Sequence, residues 1–184
     1  MLLSVMTLIN LHGGPGVGKS TAAAHIFSFF KSKHIKTELV GEFAKELIYL
    51  GNEVQLVNQV YILGSQYRKQ KDLERYGVDI AISDSPLGLQ LTYCQDKPYY
   101  KELAALVDKL DQEFNNVNIF IRRVNPYQMH GRMQTEAEAD ILSRRIWEAR
   151  NGNFDYVIEG NTAGLVELES LLLAKYDKEL YDKF

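Results

Sequence analysis

Short apolar runs alternate along this chain with longer stretches in which apolar residues recur at helical spacing. That alternation predicts a parallel sheet flanked by helices. Five runs read as strands: Met6–Leu11 (MTLINL), Thr37–Val40 (TELV), Val78–Ser83 (VDIAIS), Val117–Ile121 (VNIFI) and Phe154–Ile158 (FDYVI). They are short and rich in Val, Ile or aromatic residues, as strands buried on both faces are. Helices are predicted over Lys19–Lys33, Phe43–Leu50, Tyr99–Phe114 and Ala163–Tyr176. A long helix is drawn from Glu53 to Arg75, capped by Asn52 and stopped near Gly77, with Gly64 in its interior. Another is drawn over Glu136–Arg150, where Thr135 and Glu138 have the spacing of a capping box.

Composition adds bounds. With 184 residues, 46% hydrophobic and only 4 Pro, the chain is long and apolar enough for one globular domain, 1–184, and disorder is excluded. No repeat or Gly/Ser linker divides it. The single cysteine, Cys94, excludes a disulfide scaffold and fits a reducing compartment. The apolar start, Met1–Leu11, lacks the basic flank and cleavage site of a signal peptide and reads as a buried strand. No apolar run approaches the roughly 18 residues of a bilayer span, so no membrane association and a cytoplasmic location are expected. A net charge of -3 supplies no general attraction to nucleic acid.

The chemistry begins where the first strand ends. Gly13-Gly14-Pro15-Gly16-Val17-Gly18-Lys19-Ser20-Thr21 satisfies the phosphate-loop pattern G-x-x-x-x-G-K-[ST], between an apolar strand and an Ala-rich helix start. Such glycines let consecutive N–H groups turn inward on an anion, at the positive end of a helix dipole. The residues Gly14, Pro15, Gly16, Val17, Gly18, Lys19, Ser20 and Thr21 are thus expected to bind ATP. Lys19 would reach the β- and γ-phosphates, and the Ser20 hydroxyl would ligate Mg²⁺. A plain Gly-rich turn with a solvated lysine is the competing account.

Phosphoryl transfer also needs an acceptor, a group to take its proton, a metal and positive charge around the migrating phosphoryl. In an open parallel sheet these collect beyond the carboxyl ends of the strands. Glu42 follows the second strand and Asp84 the third, so both are expected to face the loop, one holding Mg²⁺ and the other serving as base. The alternative makes each a helix N-cap. After the fourth strand, residues 122–134 form a polar segment with three arginines, long enough to close as a lid over nucleotide. Arg123 and Arg132 are its candidates for phosphoryl charge. Asp140 and Arg144, four apart, are expected to pair along their helix, and Trp147 to pack that helix on the sheet. No metal-binding spacing joins His12, His25, His34 and His130.

Taken together, GGPGVGKST, VGEFAKE, ISDSPLG and RRVNPYQMHGRMQTEAEAD resemble the small P-loop kinases related to the nicotinamide riboside kinase domain of NadR, which include ATPase-type relatives from phage genomes. The likeness runs from about Met6 to Asn161. It implies a three-layer α/β/α P-loop fold with a five-stranded parallel sheet and an arginine-bearing lid. It also implies Lys19 and Ser20 on ATP and Mg²⁺, Glu42 and Asp84 near the acceptor, Arg132 in the lid, and Gly160 and Asn161 near adenine. The expected activity is ATP-dependent transfer to a nucleoside- or nucleotide-like small molecule. The rivals are an ATPase or switch acting on a protein partner, and a kinase for a modified base in DNA, which the acidic balance disfavours. The acceptor and the oligomeric state are not read from these residues.

Overall fold

A computed structural model describes residues 6–128 and 134–181. Strand β1 (Thr7–His12) is buried along its whole length and leads through the glycine loop into helix α1 (Lys19–Ser32). Then follow β2 (Thr37–Val40), α2 (Phe43–Tyr49), α3 (Gln59–Arg75), β3 (Ile80–Ser83), α4 (Tyr100–Asp111), β4 (Asn115–Arg122), α5 (Glu136–Ala149), β5 (Tyr156–Glu159) and α6 (Thr162–Tyr181). The five strands pair in parallel in the order β2-β3-β1-β4-β5. β1 therefore sits between β3 and β4, with Ile9 opposite Ile82 on one side and Val117 on the other.

Side chains alternate across a strand, and here both faces find a core. Ile9 and Leu11 pack with Ile26 and Phe30 of α1 and with Leu168 and Leu172 of α6. Met6 and Leu8 pack with Leu63 of α3 and with Leu103 and Val107 of α4. The result is a three-layer sandwich with the sheet in the middle. Trp147 of α5 meets Phe120 of β4 edge-on at 4.9 Å between ring centroids, fixing that helix against the sheet as expected.

Local differences from the sequence reading have physical causes. The long helix from Glu53 divides: Glu53–Val57 winds as a tighter 3-10 turn, and α3 starts at Gln59. Its cap is Asn58, whose side chain accepts from the Tyr61 N–H at 3.1 Å, while Asn52 makes no side-chain cap. The 3-10 stretch has no buried face, with Val54 82% exposed and Val57 73% exposed, so nothing rewards continuing the α-helix there. Gly64 is accommodated within α3, with no atom within 4 Å of where its Cβ would stand. Arg122, expected to open the lid, ends β4 instead, opposite Glu159 of β5. Asp140 pairs with Arg123 and not with Arg144. Leu87–Tyr93, between β3 and α4, is a 3-10 segment that no sequence period announces. No helix among the described residues is long and apolar enough to cross a membrane.

Candidate active site

The glycine loop has the backbone its pattern demands. Gly13, Gly16 and Gly18 have φ of 136°, 80° and 95°, in the region that side-chain-bearing residues resist. Gly18 is also the N-cap of α1, and no side chain caps it, so the first amides of a 14-residue helix point out at the loop. Gly14 is needed for another reason: a Cβ there would stand 2.5 Å from the Ala139 carbonyl of α5. Its N–H instead donates to Ser143 Oγ at 3.2 Å, which ties α5 to the loop. Lys19 lies across the loop, its Nζ donating to the Gly13 and Gly14 carbonyls at 2.9 and 3.0 Å.

The strand ends converge on this loop. Ser20 Oγ donates to Asp84 Oδ2 at 2.8 Å, joining the first residue pair expected to hold a metal. The N-cap alternative fails for Glu42, which occupies the cap position of α2 but makes no side-chain cap hydrogen bond. Its carboxyl is instead pushed above the usual range, first by burial and then by the Asp84 charge, with Lys19 and Lys45 pulling the other way. Glu42, Asp84 and Lys19 thus share one electrostatic neighbourhood. A hydroxyl and two carboxylates are hard oxygen donors, the kind Mg²⁺ takes.

A cavity opens on each side of the loop. The first has Gly16, Val17 and Thr21 on one wall, Val124 and Asn125 on another, and Gly160–Thr162 on the third. Gly160 closes it by bonding both ways: its N–H donates to the Arg122 carbonyl at 2.8 Å, and its carbonyl accepts from Asn125 Nδ2 at 2.7 Å. Asn161 lines this cavity, with its amide oxygen accepting from the Gly164 N–H of α6 and its nitrogen donating to Glu159. The second cavity has His12, Gly13 and Lys19 at its floor. Its walls come from the 3-10 segment after Asp84 and from Asp108, Asp111, Ile146 and Arg150 of the α4 and α5 region. Burial raises the Asp111 carboxyl, and the guanidinium of Arg150, 3.9 Å away, opposes that rise.

Arg123 is 13% exposed and ion-paired to Glu136 and Asp140 at the start of α5, with its guanidinium over the Tyr127 ring at 5.2 Å. Contact with a phosphate requires exchange of those carboxylates. Arg132, with His130, lies outside the described residues. Sequence reasoning missed Ser143, Asn125 and the whole second cavity. Asn125 carried a signal in its Asn-Pro turn within the predicted lid, whereas Ser143 and the cavity depend on where α5 packs.

No protein-family profile matches the chain, and no curated protein matches it in sequence. Solved structures do match. NadR in complex with NAD and AMP-PNP aligns with a TM-score of 0.66 and 15% identity, over 92% of this chain and 49% of that one. NadR in complex with NR aligns at 0.60 and 16%, over 84% and 43%. The thymidylate kinase of Ehrlichia chaffeensis aligns at 0.58 and 12%, over 93% and 99%. The chain therefore spans about half the length of the NadR chains and nearly all of thymidylate kinase. What these alignments share with it is the fold: a five-stranded, all-parallel α/β sandwich, the architecture of P-loop kinases.

Proposed function

We propose that the protein is a P-loop phosphotransferase that moves the γ-phosphoryl group of ATP to a nucleoside- or nucleotide-like acceptor. The observation that carries this reading is the pair of cavities on opposite sides of one phosphate loop, both touching its residues. Hydrolysis needs room for a nucleotide and a water. Transfer needs a second recess for an organic acceptor, and the Lys19 side of the loop supplies one, open to solvent and lined by both polar and apolar residues. NadR has been crystallised with AMP-PNP and with NR, which fits a nucleotide in one chamber and a small molecule in the other.

In this scheme the amides of Gly14–Thr21 receive the phosphates, and adenine enters the cavity bounded by Gly160 and Asn161. Lys19 leaves the loop carbonyls for the β- and γ-phosphates. Ser20 and Asp84 would hold Mg²⁺, which when bound neutralises phosphate charge. The acceptor oxygen attacks the γ-phosphorus, the bond to the bridging oxygen breaks, and ADP leaves. Glu42 lies outside the lining of the second cavity but shares the neighbourhood of Lys19 and Asp84, and its raised carboxyl would take the acceptor proton there. Arg123 and Arg132, which follow β4 in sequence, would offset the charge of the moving group.

The test is a screen of radiolabelled ATP against nucleosides, nucleoside monophosphates and modified duplex DNA. A labelled small-molecule product, lost in Lys19→Ala with the fold intact, is the expected result. ATP consumption that no acceptor accelerates and that a protein partner stimulates would establish the switch reading. Label entering duplex in a salt-sensitive way would establish the DNA reading.

A further inference from the structure

Between β1 and β4 the sheet carries a buried row of polar side chains that phosphoryl transfer does not use. Asn10 lies opposite Asn118, and both are buried, as is His12 at the end of β1. The hydrogen bonds between them have a polarity that can be traced from one end. Asn116 Nδ2 donates to the backbone carbonyls of Asp111 at 2.6 Å and Phe114 at 3.4 Å, which fixes the orientation of its amide. Its Oδ1 is thereby an acceptor, and Asn10 Nδ2 donates to it at 2.8 Å. The same Asn10 nitrogen reaches Asn118 Oδ1 at 3.4 Å, so that oxygen also accepts. His12 Nε2 stands 2.9 Å from the same oxygen, and that orientation of the Asn118 amide assigns it as the N–H partner. A neutral imidazole with its proton on Nε2 has a bare lone pair on Nδ1.

His12 lines the second cavity, directly before the phosphate loop. With Nε2 committed to the sheet, Nδ1 is the polar atom the ring has left for that chamber. The other ionisable side chains on its walls are Lys19, Asp108, Asp111 and Arg150. We propose that His12 is a specificity-determining residue of the acceptor chamber, whose Nδ1 accepts a hydrogen bond from a hydroxyl or amine N–H of the bound molecule. The proposal rests on the kinase reading only in naming that molecule the acceptor. At this spot a phosphate or carbonyl oxygen would set lone pair against lone pair, so the chamber selects the hydroxyl or amine face of a nucleoside. Protonation offers no escape, because burial, aided by Arg150 and Lys19, lowers the imidazole pKa to about 3. The row also has a cost that suggests use: the Asn10 Oδ1 atom is buried with no partner.

Nitrogen NMR of histidine-labelled protein tests this directly. In the unliganded protein at neutral pH, His12 should show one tautomer, with the proton on Nε2 and Nδ1 at the frequency of a bare ring nitrogen. With AMP-PNP bound, the protein is then titrated with adenosine, guanosine, cytidine and thymidine and with their monophosphates. At least one nucleoside should move the Nδ1 signal toward the protonated range. His12→Phe should raise the KM for that nucleoside about tenfold while kcat stays within about threefold. A proton found on Nδ1, a mixture of tautomers, or an Nδ1 signal unmoved by the whole panel overturns the proposal. Failure of the kinase reading would look different: the Nδ1 shift would persist, with no phosphorylated product from ATP.

Discussion

Gly160→Ala should weaken nucleotide binding, although the added group is one methyl and the residue touches no catalytic side chain. A Cβ at position 160 would stand 2.2 Å from the Val17 carbonyl oxygen, 3.1 Å from the Arg122 carbonyl and 3.2 Å from Ile121 Cγ2. An ordinary carbon-to-oxygen approach is about 3.3 Å, so the turn after β5 and the phosphate loop must separate by roughly 1 Å. Overpacking of this kind costs about 1–3 kcal/mol. Arg122 and Ile121 are held by the pairing of β4 with β5, so the loop is the side able to move, and Val17 stands in the middle of it. If the full strain is relieved only by leaving the binding conformation, AMP-PNP affinity falls by about 5- to 150-fold. Gly64→Ala is the matched control. It adds the same methyl in the interior of α3, where nothing lies within 4 Å, and should stabilise the protein by about 0.5–1 kcal/mol with no change in affinity. Titration calorimetry with AMP-PNP and urea denaturation measure both quantities. Wild-type affinity in Gly160→Ala would refute the claim that the β5 turn braces the loop.

Other perturbations reach different parts of the chain. Asp84→Asn should lower turnover by about a hundredfold or more while AMP-PNP affinity stays within about threefold; a drop in melting temperature at unchanged turnover would reduce the Ser20–Asp84 bond to a structural role. His12 has a folded pKa of about 3 against 6.5 for the free side chain, so the unfolded chain binds the extra proton. Its stabilisation is complete above pH 6.5 and is lost as pH falls from there toward 3, by about 1.4 kcal/mol per pH unit. Urea midpoints between pH 6.5 and 4.5 should fall more steeply for wild type than for His12→Phe, and equal slopes would show that the imidazole is not held neutral. Thr135→Ala removes a capping box in which Thr135 and Glu138 satisfy each other's backbone N–H groups. It should cost about 1 kcal/mol and about 2–4 °C of melting temperature, and an unchanged melting curve would show that α5 does not depend on its cap.

What could be read from the residues was whatever is settled locally. The phosphate loop needs only glycines, a lysine and a hydroxyl in order, and Thr135 and Glu138 are three apart, so both were legible without the fold. The placement of Glu42 and Asp84 was legible one step further on, because a parallel sheet sends its strand ends to one rim. The helix start at Asn58 was not. Asn52 and Asn58 are equally good caps by type, and only the exposure of Val54 and Val57 decides between them. The second cavity was illegible for a stronger reason: Asp108 and Arg150 are brought together by α4 and α5 packing across β4. Asn10 and Asn118 fall inside predicted strands without remark, since nothing in either strand alone says that the other will supply its hydrogen bonds.

The position of the loop between two chambers has a consequence for how such a protein diversifies. Gly13 and Lys19 border one chamber, Gly16 to Gly18 and Thr21 the other, and apart from the loop the two draw on separate stretches of chain. Under the proposed function, changes in residues 86–111 would retune the acceptor side and leave the nucleotide side untouched. On that reading a duplicated copy could acquire a new target by drift in that stretch and in residues 146–150, with the nucleotide side inherited unaltered.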